Sequence, residues 1–316
     1  MKIATFILLI SSFMQCSFAQ SNPQKHDVRG LTNRFNKETI SVLDFYRQYS
    51  PFTDPGEYAY LYDNLPESLP ELCDLIRSQF VHPIAHLPRV QNQFPEERRN
   101  DESVKYPSVK SVLAGLLSYD AAGIMEDRKI EDRLILGCRH NAILLASILK
   151  YRGIPARVRT GHVTYLRPGF HMSHTICEVW NESDQRWMLV DPSTAMVDFD
   201  RDQFDFSNEL WLKMQKGEID LEQYGFPGRY SGLVSIVGKV SPDLASILGT
   251  EYPISRYAPI LDYIIENNDQ LTAEHVNTLN KISELMKSLD AENLSELQEI
   301  YNNTADIRIT KAFEIK

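Results

Sequence analysis

The stretch "LILGCRHNAILLASILKYRGIPARVRTG", residues 134–161, decides how this chain folds, because it joins a long apolar helical pattern to a strand. Its apolar residues recur at three-to-four spacing, which predicts a helix that ends at Gly153, shortly before Pro155. Cys138 follows Gly137 and falls in the first turn of this helix, where free N–H groups and the helix dipole favour a thiolate. A free cysteine is also among the most buried residue types. From this stretch alone, Cys138 is either a nucleophile or a core thiol.

The strands predicted after the helix bring a histidine to an aspartate. The segments "PARVRTGHV", "HTICEVW" and "RWMLVD" are typical of strands, and the turn-like "NESD" separates the last two. A helix followed by an antiparallel meander predicts an α+β fold. If NESD forms the whole loop, Trp180 faces Gln185 and His174 lies opposite Asp191, with Cβ atoms ~5 Å apart. Such a pair supplies the base and the orienting acid of a catalytic triad, and a register shifted by two residues would make it diagonal.

The order and spacing of these residues resemble the transglutaminase-like superfamily. The matching positions are Gly137-Cys138-Arg139, Gly153 to Arg157, Gly161, His174, Glu178-Val179-Trp180, Trp187 and Val190-Asp191-Pro192. The resemblance implies a papain-like core, in which a nucleophile helix packs on an antiparallel sheet with flanking helices. It makes Cys138 the nucleophile, His174 the base and Asp191 the orienting acid of a Cys–His–Asp triad. Residues 134–193 carry the resemblance, and the later part of the chain looks more loosely like a bacterial exported transglutaminase-like domain protein.

The chemistry implied by this triad is thiol-dependent acyl transfer on a peptide or protein substrate. A thiolate attacks an amide carbonyl, a thioester forms, and water or an amine then accepts the acyl group. The sequence leaves open whether the protein is a hydrolase such as a peptidase or a protein transamidase. It also leaves open a non-catalytic binding module of the same fold and a glycopeptide amidase. The Cys138 N–H is one expected oxyanion donor, and the helical part before Leu134 is the expected source of the other.

Three further residues are candidates for substrate binding or for support of the triad: Arg139, Glu178 and Trp180. A buried ion pair with Arg157 or Arg139 is the simpler role for Glu178, and core packing is the simpler role for Trp180. Cys177 alternates away from His174 and is expected in the core, whereas His171 is expected on a loop or rim. The cysteines and histidines show no zinc-ligand spacing, so no metal and no cofactor is predicted.

The composition and the N-terminal sequence limit which partners and which cellular location can be expected. The 316 residues carry a formal net charge of -10 with no Lys/Arg cluster, so nucleic acid is not an expected partner. Residues 1–19 have the short apolar run and the small residues near Ala19 of a signal peptide, which predicts a secreted or periplasmic protein. Lipid attachment at Cys16 is the less favoured alternative, because bulky residues precede it. No later segment approaches the ~20 apolar residues of a transmembrane helix, and the oligomeric state stays open.

The chain after the signal peptide divides by pattern into four parts. These are a loose polar arm (20–37), a helical N-terminal part (38–133), the catalytic core (134–200) and a mostly helical C-terminal extension (201–316). Within the helical part, prolines and charges from about residue 83 to 107 predict a long loop, which in a compact protein is functional or mobile. The sequence contains no internal repeat, which excludes a solenoid.

Overall fold

The computed structural model describes residues 35–312, which form helices and a largely antiparallel sheet. The α+β prediction is confirmed, whereas the predicted signal peptide and Cys16 lie outside the described residues. The α-helices are α1 (Val42–Arg47), α2 (Leu69–Ser78), α3 (Leu87–Val90), α4 (Val109–Tyr119), α5 (Cys138–Tyr151), α6 (Ser207–Gln215), α7 (Leu233–Ile247), α8 (Ile260–Glu266), α9 (Ala273–Leu285) and α10 (Ala291–Asn303). Across residues 35–312, no helix is both long enough and apolar enough to span a membrane.

One curled sheet of seven strands forms the centre of the fold, with the order β4-β3-β2-β1-β5 and neighbours antiparallel. Its strands are β1 (Ala156–Val163), β2 (His171–Asn181), β3 (Arg186–Asp191), β4 (Met196–Val197), β5 (Phe204–Phe206), β6 (Tyr224–Phe226) and β7 (Tyr230–Ser231). β6 runs parallel to the start of β2 and pairs with β7. The sheet therefore continues past residue 200, where the sequence predicted the catalytic core to end. A separate pair joins β8 (Arg256–Tyr257) to β9 (Lys311–Ala312).

Helix α5 is buried at the centre of the first hydrophobic core, which it forms with α2, α4 and the sheet. Every residue from Arg139 to Lys150 is buried, as expected of a helix that is apolar on most of its faces. It packs against β1, β2, α2 and α4. The helix ends where predicted, because Gly153 takes the left-handed conformation (φ 73°) that favours glycine. The buried helix and the sheet together fix the position of its first residue, Cys138.

The C-terminal helices form a second core that joins the sheet through α7. Apolar residues of α6 to α10 pack together with Phe45 and Tyr46 of α1. The part of β1 before Gly161 pairs only with β2 among the described strands, and α7 lies against it. Asp243 of α7 accepts a hydrogen bond from the backbone N–H of Thr160 at 2.9 Å. The helix thus supplies a hydrogen-bond acceptor to an edge of the sheet that would otherwise be free to pair with another chain.

The β2–β3 hairpin has a different register from the predicted one. Trp180 pairs with Trp187 and Asn181 with Arg186, so the prediction of Trp180 opposite Gln185 is wrong by two residues. The loop is Glu182 to Gln185, because the Asn181 side chain accepts the N–H groups of the two residues at 183 and 184 and starts the turn one residue later. The loop closes at Gln185 with φ 50°. In this register Glu178 faces Leu189 of β3.

The segment predicted as a long loop has structure of its own and a firm anchor. It contains α3 and short 3₁₀ turns. Just before it, the chain pairs in parallel with residues 134–136: the N–H of Leu134 donates to the Gln79 carbonyl at 3.1 Å, and the N–H of Val81 donates to the Leu134 carbonyl at 2.9 Å. The N–H of Leu136 donates in turn to the Val81 carbonyl at 3.1 Å. This pairing holds the start of the segment beside the start of α5.

Replacement of Gly161 with alanine is expected to destabilise the fold by about 1–3 kcal/mol, through overpacking. A Cβ at Gly161 would lie 2.3 Å from the Asp205 carbonyl oxygen and 2.8 Å from the Phe204 ring, where β5 approaches β1. The matched control is Gly238→Ala in α7, where the nearest atom belongs to Leu261 at an ordinary 3.6 Å. That change should be neutral or stabilising, since alanine favours a helix. Urea unfolding of both variants makes the comparison, and equal stability would contradict the close approach.

Candidate active site

Cys138 opens α5 at the edge of the first core, as the sequence predicts. Gly137 precedes it in extended conformation (φ -92°, ψ -171°), and no side chain caps the helix. Cys138 as a residue is partly exposed, and it forms no disulfide. Because the N–H groups of the first turn have no partner within the helix, they and the helix dipole favour negative charge on or near the sulfur. The position suits a nucleophile that a substrate must reach.

His174 and Asp191 meet despite the altered register. Since Cys177 faces Val190, continued pairing places Asp191 opposite Ile176, two residues from His174. The pair is therefore diagonal, and its side chains close the gap with a hydrogen bond of 2.9 Å between His174 Nε2 and Asp191 Oδ2. Both residues are buried, with Asp191 fully inaccessible to solvent. The prediction of a His–carboxylate pair is confirmed, and the prediction that the residues are directly opposed is wrong.

The Asp191 carboxylate has hydrogen bonds on both oxygens. Tyr165 and Thr194 donate their hydroxyls to Oδ2 at 2.8 and 2.9 Å, and the backbone N–H of Ser193 donates to Oδ1 at 2.8 Å. Burial raises the pKa of this carboxyl, but the charge and hydrogen bond of His174, with the hydrogen bonds from Tyr165 and Ser193, lower it to about 2. The acid therefore stays ionised, and it fixes the proton of His174 on Nε2.

Two imidazole rings, those of His174 and His82, act on the thiol of Cys138. Burial opposes ionisation of the thiol, yet the charge and hydrogen bond of His174, with His82 adding to them, hold its pKa well below the usual value. Burial likewise opposes the charge on His174, but Asp191 and Cys138 raise its pKa to about 10. Opposite shifts on two neighbours are the signature of a thiolate–imidazolium pair. The arrangement therefore favours the ionised form of the sulfur.

Comparison of the chain with protein-family models, with curated proteins and with solved structures gives no match. The resemblance to the transglutaminase-like superfamily therefore rests on the motif residues alone.

Glu178 lies in a buried ion network and not at the thiol. Its Oε2 accepts from Arg157 Nε at 2.6 Å and from Arg159 Nη1 at 2.7 Å, and all three side chains are buried. Burial raises the pKa of Glu178, but the two guanidinium groups lower it to about 2. Arg159 continues the network to Asp243. The predicted pairing with Arg157 is confirmed, Arg139 is not a partner, and the network joins β1 and β2 to α7.

Arg139 and Trp180, the remaining predicted residues, also bind elsewhere. Arg139 is buried and donates to the backbone carbonyls of Pro107, at 3.0 Å, and Glu251. Trp180 lies at the hairpin end, with its ring 5.5 Å from that of Trp187 and its N–H bonded to a loop carboxylate. Six residues of strand, ~20 Å, separate it from His174. The structure thus brings together Cys138, His174 and Asp191 and leaves the other three candidates outside this cluster.

Several residues around Cys138, His174 and Asp191 could not be recognised from the sequence pattern. Tyr165 and Thr194 follow strands in loops, and His82 begins the segment that was predicted as a loop. A loop position has no periodicity from which its direction could be inferred, so these residues are visible only in three dimensions. The ring of Tyr165 also packs edge-on to His174, with centroids 6.4 Å apart.

His171, Cys177 and Cys73 lie among contacts that stabilise the fold and are not part of the candidate active site. His171 is the first residue of β2, stacks on Tyr224 at 4.2 Å and bonds through Nδ1 to Asp205 at 2.5 Å. Cys177 is buried as predicted, and so is Cys73. Burial raises the pKa of both thiols, which keeps them protonated. Of the three cysteines in residues 35–312, only Cys138 combines access with a lowered pKa.

Proposed function

We propose that the protein is a thiol-dependent acyl-transfer enzyme of the transglutaminase-like type, acting on an amide bond in a peptide or protein. The observation that carries this proposal is the contact of a partly exposed Cys138, at a helix N-terminus, with a His174 whose Nε2 is bonded to buried Asp191. A papain-like arrangement of the core and export through residues 1–19 belong to the same proposal. Its support is the motif order, the helix-then-hairpin context and the charge state of the pair.

The proposed steps use only these groups. The Cys138 thiolate adds to the amide carbonyl carbon and forms a C–S bond, while the carbonyl π electrons move to the oxygen. When the C=O bond re-forms, the C–N bond breaks and the His174 imidazolium transfers its proton to the departing amine. Water or a second amine then attacks the thioester and restores the thiol. The buried Asp191 keeps the imidazole oriented throughout.

The proposal is tested with the purified protein and a mixture of unmodified proteins, a fluorescent primary amine and a glycopeptide. Mass spectrometry distinguishes new peptide termini or deamidated side chains, incorporated amine, and released sugar. We expect one of the first two products with the parent protein and none with Cys138→Ala. Sugar release would assign the glycopeptide amidase instead. Equal product from Cys138→Ala, or no product while Cys138 remains free, would contradict the proposal and leave the binding module.

A further inference from the structure

His82 lies beside the nucleophile because the same backbone pairing positions both. The parallel bonds among residues 79–81 and 134–136 end one residue before His82 and one before Gly137. The Nε2 atom of His82 lies 3.6 Å from the point that a Cβ on Gly137 would occupy. The His82 ring also acts on the Cys138 thiol, whose pKa it helps to lower. The missing side chain at Gly137 leaves open the space between the ring and the start of α5.

The backbone fixes which nitrogen of His82 carries the proton. Two backbone N–H groups, those of Ile84 and Ala85, donate to Nδ1 at 3.2 Å each. A nitrogen that accepts hydrogen bonds carries no proton, so the proton of the neutral ring is on Nε2. The Nε2–H of the ring is thus a donor on the side toward Cys138, and the two backbone N–H groups bound to Nδ1 hold the ring in this orientation. His174 also carries a proton on Nε2, but its Nε2 donates to Asp191 and so faces away from the thiol.

We infer that His82 is the second oxyanion donor, supplying its Nε2–H beside the backbone N–H of Cys138; this role rests on the proposed function. As the thiolate adds to a carbonyl, the new negative charge appears on an oxygen one bond from the carbon attached to sulfur. A fixed donor next to the sulfur stabilises that charge without reorganising, and such donors contribute ~10²–10³-fold to kcat. His174 is engaged with Asp191 and the departing group, so it is not available for the oxygen.

The test compares two reactions of Cys138 that differ only in the need for an oxyanion. 4-Nitrophenyl acetate acylates the thiolate through a tetrahedral oxyanion: a C–S bond forms, the C–O bond breaks and 4-nitrophenolate leaves. Iodoacetamide alkylates the same thiolate by direct displacement of iodide, with no oxyanion. Both are measured over a range of pH as rate constants at Cys138, with mass spectrometry to show that buried Cys73 and Cys177 stay unmodified. Their modification would identify a variant that has lost its fold.

His82→Ala is expected to slow acylation by about 10²-fold or more at the pH plateau and to leave plateau alkylation within about 3-fold. His82→Gln keeps an N–H donor and should recover part of the acylation rate. His86→Ala is the matched control, because its ring packs 6.2 Å from His82 in the same segment. Equal losses in both reactions, or no loss in acylation, would overturn the inference, as would failure of the parent protein to acylate. Absence of peptide turnover with the acylation pattern intact would count against the proposed function alone.

Discussion

Replacement of His174 with alanine is expected to lower kcat toward an amide substrate by about 10⁴- to 10⁶-fold. The change removes the proton donor to the departing amine and the positive charge that stabilises the thiolate, and it leaves Asp191 as a buried carboxylate without its main partner. Since residues of a triad act as a unit, the loss should approach that of Cys138→Ala. A residual rate near that of the parent would exclude His174 as the base.

The same variant makes a prediction for the pH dependence of Cys138 alkylation. In the parent the pKa of the thiol is lowered, so its alkylation rate should reach its plateau at a lower pH than that of an ordinary cysteine. In His174→Ala, burial acts without the opposing charge, and the apparent pKa should move to ~8.5 or above. Iodoacetamide modification followed by mass spectrometry measures both curves.

His171→Ala is the matched control for that experiment. His171 lies on the same strand and also bonds to an aspartate, but it contacts Asp205 and Tyr224 and not the thiol. Its alkylation curve should coincide with that of the parent. If both histidine variants shift the curve alike, the effect comes from disturbance of β2 and not from an ion pair.

Replacement of Asp243 with alanine should cost about 3–5 kcal/mol of unfolding free energy, the largest stability effect expected here. The Asp243 carboxylate is inaccessible to solvent and accepts bonds from Arg159 at 2.9 and 3.0 Å, the Thr160 N–H at 2.9 Å and Ser207 at 2.7 Å. Its removal leaves the Arg159 charge with Glu178 alone and a strand-edge N–H without its acceptor. Urea unfolding at neutral pH measures the loss.

Glu296→Ala provides the comparison, because Glu296 also forms an ion pair, with Lys281 at 2.7 Å, but both side chains are exposed. Exposed pairs contribute about 0–1 kcal/mol, since water screens the charges and both side chains lose freedom. The two variants should therefore differ by several-fold in their destabilisation. Comparable losses would show that the buried network does not hold α7 on the sheet.

The sequence by itself determined the local elements and singled out the three residues on which the proposed function rests. Helical spacing and Gly153 fixed α5 with Cys138 at its start, and short apolar segments fixed the three strands that carry His174 and Asp191. These features depend on backbone preferences and on side-chain periodicity, which act over a few residues. The three residues could be chosen because Cys138 begins a patterned helix, Asp191 ends a patterned strand, and His174 lies on the strand beside it.

Only the tertiary structure decided how distant segments meet. The turn that starts at the Asn181 side chain gives the hairpin a register two residues away from the predicted one. Strands β5 and β6 join the sheet from beyond residue 200. His82 reached the thiol through a backbone pairing across more than fifty residues, and Asp243 reached Thr160 across 83 residues. Such contacts follow from hydrogen bonds and charges that find partners when the chain packs, and neither spacing nor propensity encodes which partner that is.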